Sequence, residues 1–199
     1  LSKSDDRPHV HVVWDGLLVG WIASALMVGL LVLVPQLMFP NSEINGLDRL
    51  FPLIIFAIVA SDISLAALAY RHDIAATVRA RSIIEPWTIS LGALAFAFYS
   101  TRDGLILAYV LSLIAAVVAS MWPCIKSYGW PHAWRPKPAD LFMLARRNIP
   151  LAGADAIEWG SRRLDIAILG LFFSPAVVGI YYVAQQVASL PQKLKTSFD

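Results

Sequence analysis

Nineteen consecutive residues, Gly16 to Val34, carry no charged side chain, and as a helix they would rise about 28 Å, close to the thickness of a bilayer's hydrocarbon core. Such a run leaves few alternatives, because in lipid every backbone N–H and C=O must be paired within the protein, and a helix does this inside one segment. The first span is expected over residues 14–39. Comparable runs recur over 50–69, 83–100, 105–125, 149–172 and 176–190. The expected fold class is therefore an all-α integral membrane protein of about six transmembrane helices. Composition agrees: 58% of the residues are apolar and 15% are charged, against roughly 25% charged in soluble domains.

The connections divide the chain into an expected first region over 1–125, a link over 126–148 and a last region over 149–199. Pro40-Asn41-Ser42 and Thr101-Arg102-Asp103-Gly104 read as turns, and Tyr70 to Ser82 as a basic loop. The link carries Pro131, Pro136 and Pro138. After them Leu141, Leu144 and Ala145 can share one face of a short helix lying along the membrane surface, with Asp140, Arg146 and Arg147 in water. Twelve of the lysines and arginines fall at the two ends, in 70–82 and in 126–148, whereas only Arg49 and Arg102 lie in the alternate loops. That asymmetry places both ends and the link in the cytoplasm.

Several simple function classes find no support in the chain. A single cysteine, Cys124, excludes an intrachain disulfide and reads as a small packing residue. His9 and His11 sit in a polar lead-in with no third ligand at metal-site spacing, so they read as solvated. No phosphate-cradling glycine loop, zinc-protease helix or Ser/His/Asp order is present, so nothing points to an enzyme, and no nucleic-acid partner is expected. Gly16-x-x-x-Gly20 is a weak helix-packing signal. Trp14, Trp87, Trp122, Trp130 and Trp134 stand near span ends and read as interface anchors.

The run over 149–172 conflicts with its own length, because it holds Asp155, Glu158, Arg162, Arg163 and Asp165. At 100° per residue, Asp155, Arg162, Glu158 and Asp165 share a stripe about 80° wide on one helix face. Arg162 and Arg163 lie about 15 Å short of Phe172 along the axis, farther than an arginine side chain can reach to snorkel. Either the stripe looks into a hydrated cavity, where a guanidinium could hold a phosphate or carboxylate, or Glu158 and Asp165 neutralise Arg162 within the bundle. Asp62, alone near the middle of the second run, is open to a similar pair of readings: a proton or cation site, or the partner of an arginine such as Arg162. Glu85 near the start of the third run reads as interfacial, with a smaller chance of a place at a cavity mouth.

Three segments, Asn148-Ile149-Pro150, Arg162-Arg163-Leu164-Asp165-Ile166-Ala167-Ile168-Leu169-Gly170 and Val178-Gly179-Ile180-Tyr181-Tyr182-Val183-Ala184-Gln185-Gln186-Val187-Ala188, resemble the middle of bacterial polysaccharide and lipopolysaccharide (O-antigen type) exporters. These belong to the multidrug/oligosaccharidyl-lipid/polysaccharide flippase superfamily. The resemblance covers about a quarter of the chain. It implies a two-lobed protein of twelve to fourteen helices around a central cavity, with the six spans here as helices three to eight of a central fragment. It further implies a substrate made of a sugar chain on a polyprenyl diphosphate carrier, moved across the bacterial cytoplasmic membrane by alternating access. Glycosyltransferases, a glycan polymerase and membrane lipids would be the partners, with no cofactor beyond a coupling cation, H+ or Na+. Arg162 and Arg163 would then attract diphosphate or acidic sugars, with Asp155, Glu158 and Asp165 holding the arginines or shuttling protons. A cation-coupled drug or metabolite antiporter of the same superfamily is the main alternative. An enzyme acting on a lipid-linked sugar stands further off, because the longest loop offers only Asp140 and His132.

Overall fold

The computed structural model describes residues 9–39, 44, 46–98, 100, 103–189 and 191, the side chain of Arg162 excepted. Among them there is helix and no strand. In order these are α1 (His9–Leu33), α2 (Gly46–Leu50), α3 (Ile54–Tyr70), α4 (Ile74–Thr77), a π-helical stretch Val78–Ile84, α5 (Glu85–Ala97), α6 (Asp103–Tyr128), α7 (Pro138–Phe172) and α8 (Pro175–Ala188), with short 3-10 turns at Pro35–Leu37 and Phe51–Leu53. Three helical segments, His9–Leu33, Leu47–Tyr70 and Asp103–Tyr128, are long and apolar enough to cross a membrane. The protein is an all-α membrane protein.

The chain divides into two compact units, one of Leu1–Leu33 with Asn45–Arg147, the other of Val34–Ile44 with Asn148–Asp199. In the first, α6 packs against α5 and α3, and α1 packs against α3. Val13 and Leu17 of α1, Leu65 and Leu68 of α3, Ala76, Ala80 and Cys124 form its core. Small residues let these helices approach closely: a Cβ on Gly20 would stand 2.7 Å from Val59 Cγ1, and one on Gly92 would stand 3.2 Å from Ala108 Cβ. Three buried hydroxyls bond within their own helix, Ser24 donating to the Gly20 carbonyl at 2.8 Å, Ser112 to that of Tyr109 at 2.8 Å and Ser120 to that of Val117 at 3.1 Å. Outside this core the helices present bare apolar side chains such as Leu26, Leu33, Leu91 and Phe98, the surface expected to face lipid tails.

Several boundaries differ from those read in the sequence, each for a local reason. The first helix stops at Leu33 because Val34, at φ −127° and ψ 71°, precedes Pro35 and leaves the helical region. It also begins earlier, at His9, so the histidine lead-in is helical; His11 Nε2 lies 3.3 Å from the His132 carbonyl. Pro123 does not end the fourth run: α6 continues to Tyr128, whose hydroxyl donates to the Ala67 carbonyl at 2.7 Å. Residues 139–147 and the fifth run form one helix, α7, with Pro150 inside it, and the division between the two units falls within it.

The largest correction concerns the expected basic loop 70–82. Only 71–73 turn the chain; from Ile74 it is helical again through to Ala97. Asp73 caps this helix, its Oδ1 accepting from Ala76 N at 3.2 Å, and His72 takes φ 65° to close the turn. Arg79 and Arg81 therefore ride on a helix instead of a loop.

Candidate functional site

Asp62 and Glu85 are brought together in the first unit by Arg81, a residue of the segment expected as a basic loop. Arg81 donates through Nη2 to Asp62 Oδ1 and through Nη1 to Glu85 Oε2, the latter at 2.8 Å. The Arg81 side chain is 28% exposed, that of Glu85 23% and that of Asp62 58%, so the pair with Glu85 is the more shielded. Asp62 thus has an arginine partner, and it is Arg81, supplied by the neighbouring π-helical turn. One guanidinium between two carboxylates leaves the trio one negative charge in excess when both acids are ionised. The π-helical stretch that carries Arg81 inserts an extra residue per turn and swings the face of the helix, a distortion frequent at functional sites.

Two signals in the sequence could have found Arg81. It lies four residues before Glu85, the spacing of a helical ion pair. It also lies as far beyond His72 as Asp62 lies before Arg71, so an antiparallel pair of helices closing at that turn sets the two at one height.

In the second unit α7 and α8 meet through Asp165. Its Oδ2 accepts from the Tyr181 hydroxyl at 2.9 Å and from Gln185 Nε2 at 2.8 Å. Tyr181 and Gln185 are four apart, hence on one face of α8. The Arg163 guanidinium lies 5.7 Å from the centroid of the Tyr182 ring, within cation–π range. Asp155, Glu158 and Arg163 are exposed on α7, and Asp165 is half-buried at its contact with α8. The expected role of Arg162 rests on a side chain outside the described residues. Hydropathy gives Tyr181 and Gln185 no role; their contacts make them the donors that orient Asp165.

A third polar contact, in the first unit, involves Asp15, which is 6% exposed on α1 and accepts from the Trp134 indole N–H at 2.9 Å. Trp14 packs edge-on against Trp130, with ring centroids 5.4 Å apart, and tilted against Trp134 at 6.0 Å. Trp14 and Trp134 are therefore internal packing residues. Trp87, Trp122 and Trp130 keep the exposed surface of interface anchors.

These features define a multi-pass helical membrane protein that carries oriented, partnered ionisable groups on otherwise apolar helices. The model of the polysaccharide biosynthesis protein family matches residues 2–198, and the chain belongs to that family. No curated protein and no solved structure matches it. Its role accordingly lies in polysaccharide biosynthesis at a membrane.

Proposed function

We propose that this chain belongs to a transporter, not an enzyme, that flips a lipid-linked oligosaccharide, a sugar chain on a polyprenyl diphosphate, across the bacterial cytoplasmic membrane by alternating access. The observation that carries the reading is the charge on α7: five ionisable residues between Asp155 and Asp165 on a helix otherwise apolar from Ile149 to Phe172, in a chain of the polysaccharide biosynthesis family. Charge at that depth is retained where it meets a substrate, an ion or water. A planar guanidinium suits a diphosphate because two N–H groups engage two oxygens at once. Arg162 and Arg163 are the candidate anion ligands, and Asp165, held by Tyr181 and Gln185, is the acid that faces α8.

On this reading glycosyltransferases supply the substrate and a glycan polymerase or ligase consumes it. The lysines and arginines at the two ends and in the link, against Arg49 and Arg102 alone in the alternate loops, support cytoplasmic ends and link. A coupling proton or sodium ion would be taken up by carboxylates such as those flanking Arg81. Arg162→Gln in the full-length protein should abolish surface glycan while the protein stays in the membrane at its usual level. Normal surface glycan would remove the proposal. A cationic-drug antiporter would instead show itself as increased drug susceptibility in the same strain with glycan intact.

A further inference from the structure

One pocket lies away from both ionic clusters, in the first unit, where the start of the α4 and π-helical stretch meets the end of α6. Asp73, Arg79, Trp122, Pro123, Lys126 and Ser127 line it, around some 400 Å³ of accessible space. Its charge is unbalanced. Asp73 carries the one negative charge and accepts from Ala76 N as a helix cap, and Arg79 holds its Nε to the Ala75 carbonyl at 3.4 Å while its side chain lines the pocket. Arg71 adds a third cation at the edge, donating to Ser127 Oγ at 3.0 Å and lying 4.0 Å over the Tyr128 ring. Arg79 and Lys126 are both exposed.

The apolar surface that runs into this pocket points to what fills it. Leu111, Ile114, Val118 and Trp122 are exposed along α6 at 42%, 53%, 61% and 72%, spaced three or four apart and hence on one face. Lys126 continues the same face one turn beyond Trp122. An aliphatic track that ends in a tryptophan and then a lysine matches, in order, acyl chains, the glycerol level and the headgroup of a bilayer lipid. Cations in excess at the headgroup level select a lipid whose phosphate carries uncompensated charge.

We infer that this pocket is a specific site for one anionic phospholipid, its phosphate between Arg79 and Lys126 and its acyl chain along Leu111, Ile114 and Val118. The guanidinium supplies paired donors to the phosphate oxygens and the ammonium a point charge. The Ser127 hydroxyl lies among the lining groups and can serve a glycerol oxygen. The site is independent of the proposed flipping activity, because it requires neither α7 nor the oligosaccharide.

The test uses the full chain in nanodiscs made with brominated phosphatidylglycerol or brominated phosphatidylcholine in an unlabelled background, with Trp122 quenching taken as the difference from Trp122→Phe. The expected result is quenching by the anionic lipid at mole fractions about tenfold lower than by the zwitterionic one. Arg79→Gln/Lys126→Gln should remove that difference. Arg135→Gln/Lys137→Gln, with the same change in net charge, should retain it, and helix content by circular dichroism should be equal in all forms. Equal quenching by the two lipids, loss of the difference in the Arg135→Gln/Lys137→Gln control, or its persistence in the pocket variant would each overturn the site. Millimolar inorganic phosphate should leave the quenching unchanged; displacement by it would assign the pocket to free phosphate and refute the lipid.

Discussion

Arg81 decides the standing of two acids at once. Replacing it by leucine leaves Asp62 and Glu85 without their shared cation, and the protein in detergent should lose about 1 to 2 kcal/mol in denaturant unfolding. That figure sits toward the low end because Asp62 is 58% exposed and solvent screens it. Adding Asp62→Leu to Arg81→Leu should recover part of the loss, since the double change removes the repulsion; simple additivity would show the contact to be energetically empty. Gly104 offers a second test at one residue. A Cβ there would lie 2.6 Å from the Phe96 carbonyl oxygen and 2.9 Å from its carbon, backbone atoms that cannot turn aside, so Gly104→Ala should cost about 1 to 3 kcal/mol of stability. Asp62 is legible in the sequence as out of place in an apolar run, and Glu85 as an acid near the start of one. Their shared partner depends on where the turn closes: with only 71–73 outside the helices, Arg81 stands on a helix beside both acids.

At the scale of elements, contacts between neighbouring helices are tied by single polar residues. Tyr181→Phe and Gln185→Leu each remove one donor from Asp165 and should each lower the thermal midpoint of the detergent-solubilised protein. The double variant should lose surface glycan as well, if Asp165 must stay oriented for transport. The segment after α6 is held in the same manner. Trp134→Phe keeps the ring but deletes the donor to Asp15, so limited proteolysis within 129–137 should accelerate severalfold while α1 and α6 remain protected. Unchanged cleavage rates would mean that aromatic packing alone holds the segment.

Among the described residues three helical segments are long and apolar enough to cross a membrane, and single polar contacts such as Tyr128 to the Ala67 carbonyl and Trp134 to Asp15 tie them to their neighbours. The proposed orientation can be tested in a Cys124→Ser background, in which residues 1–199 hold no other cysteine. A membrane-impermeant thiol reagent added to intact cells should label Arg102→Cys and spare Lys137→Cys. Labelling of Lys137→Cys from outside would reverse the topology and with it the direction of the proposed transport.

Class, number of apolar runs and charge asymmetry are set by the sequence alone, because bilayer thickness and the exclusion of charge act along the chain and can be read one residue after another. The conflict on α7 was visible for the same reason. Which groups meet was decided only by the tertiary structure. The π-helical turn rotates Arg81 onto Asp62, the turn at Ser174-Pro175 sets Tyr181 and Gln185 against Asp165, and the segment after α6 returns Trp134 to a buried acid on α1. Pairing across helices depends on rotation about each axis and on where a turn closes. A one-residue insertion moves a side chain by about 100° and leaves the hydropathy of the segment unchanged.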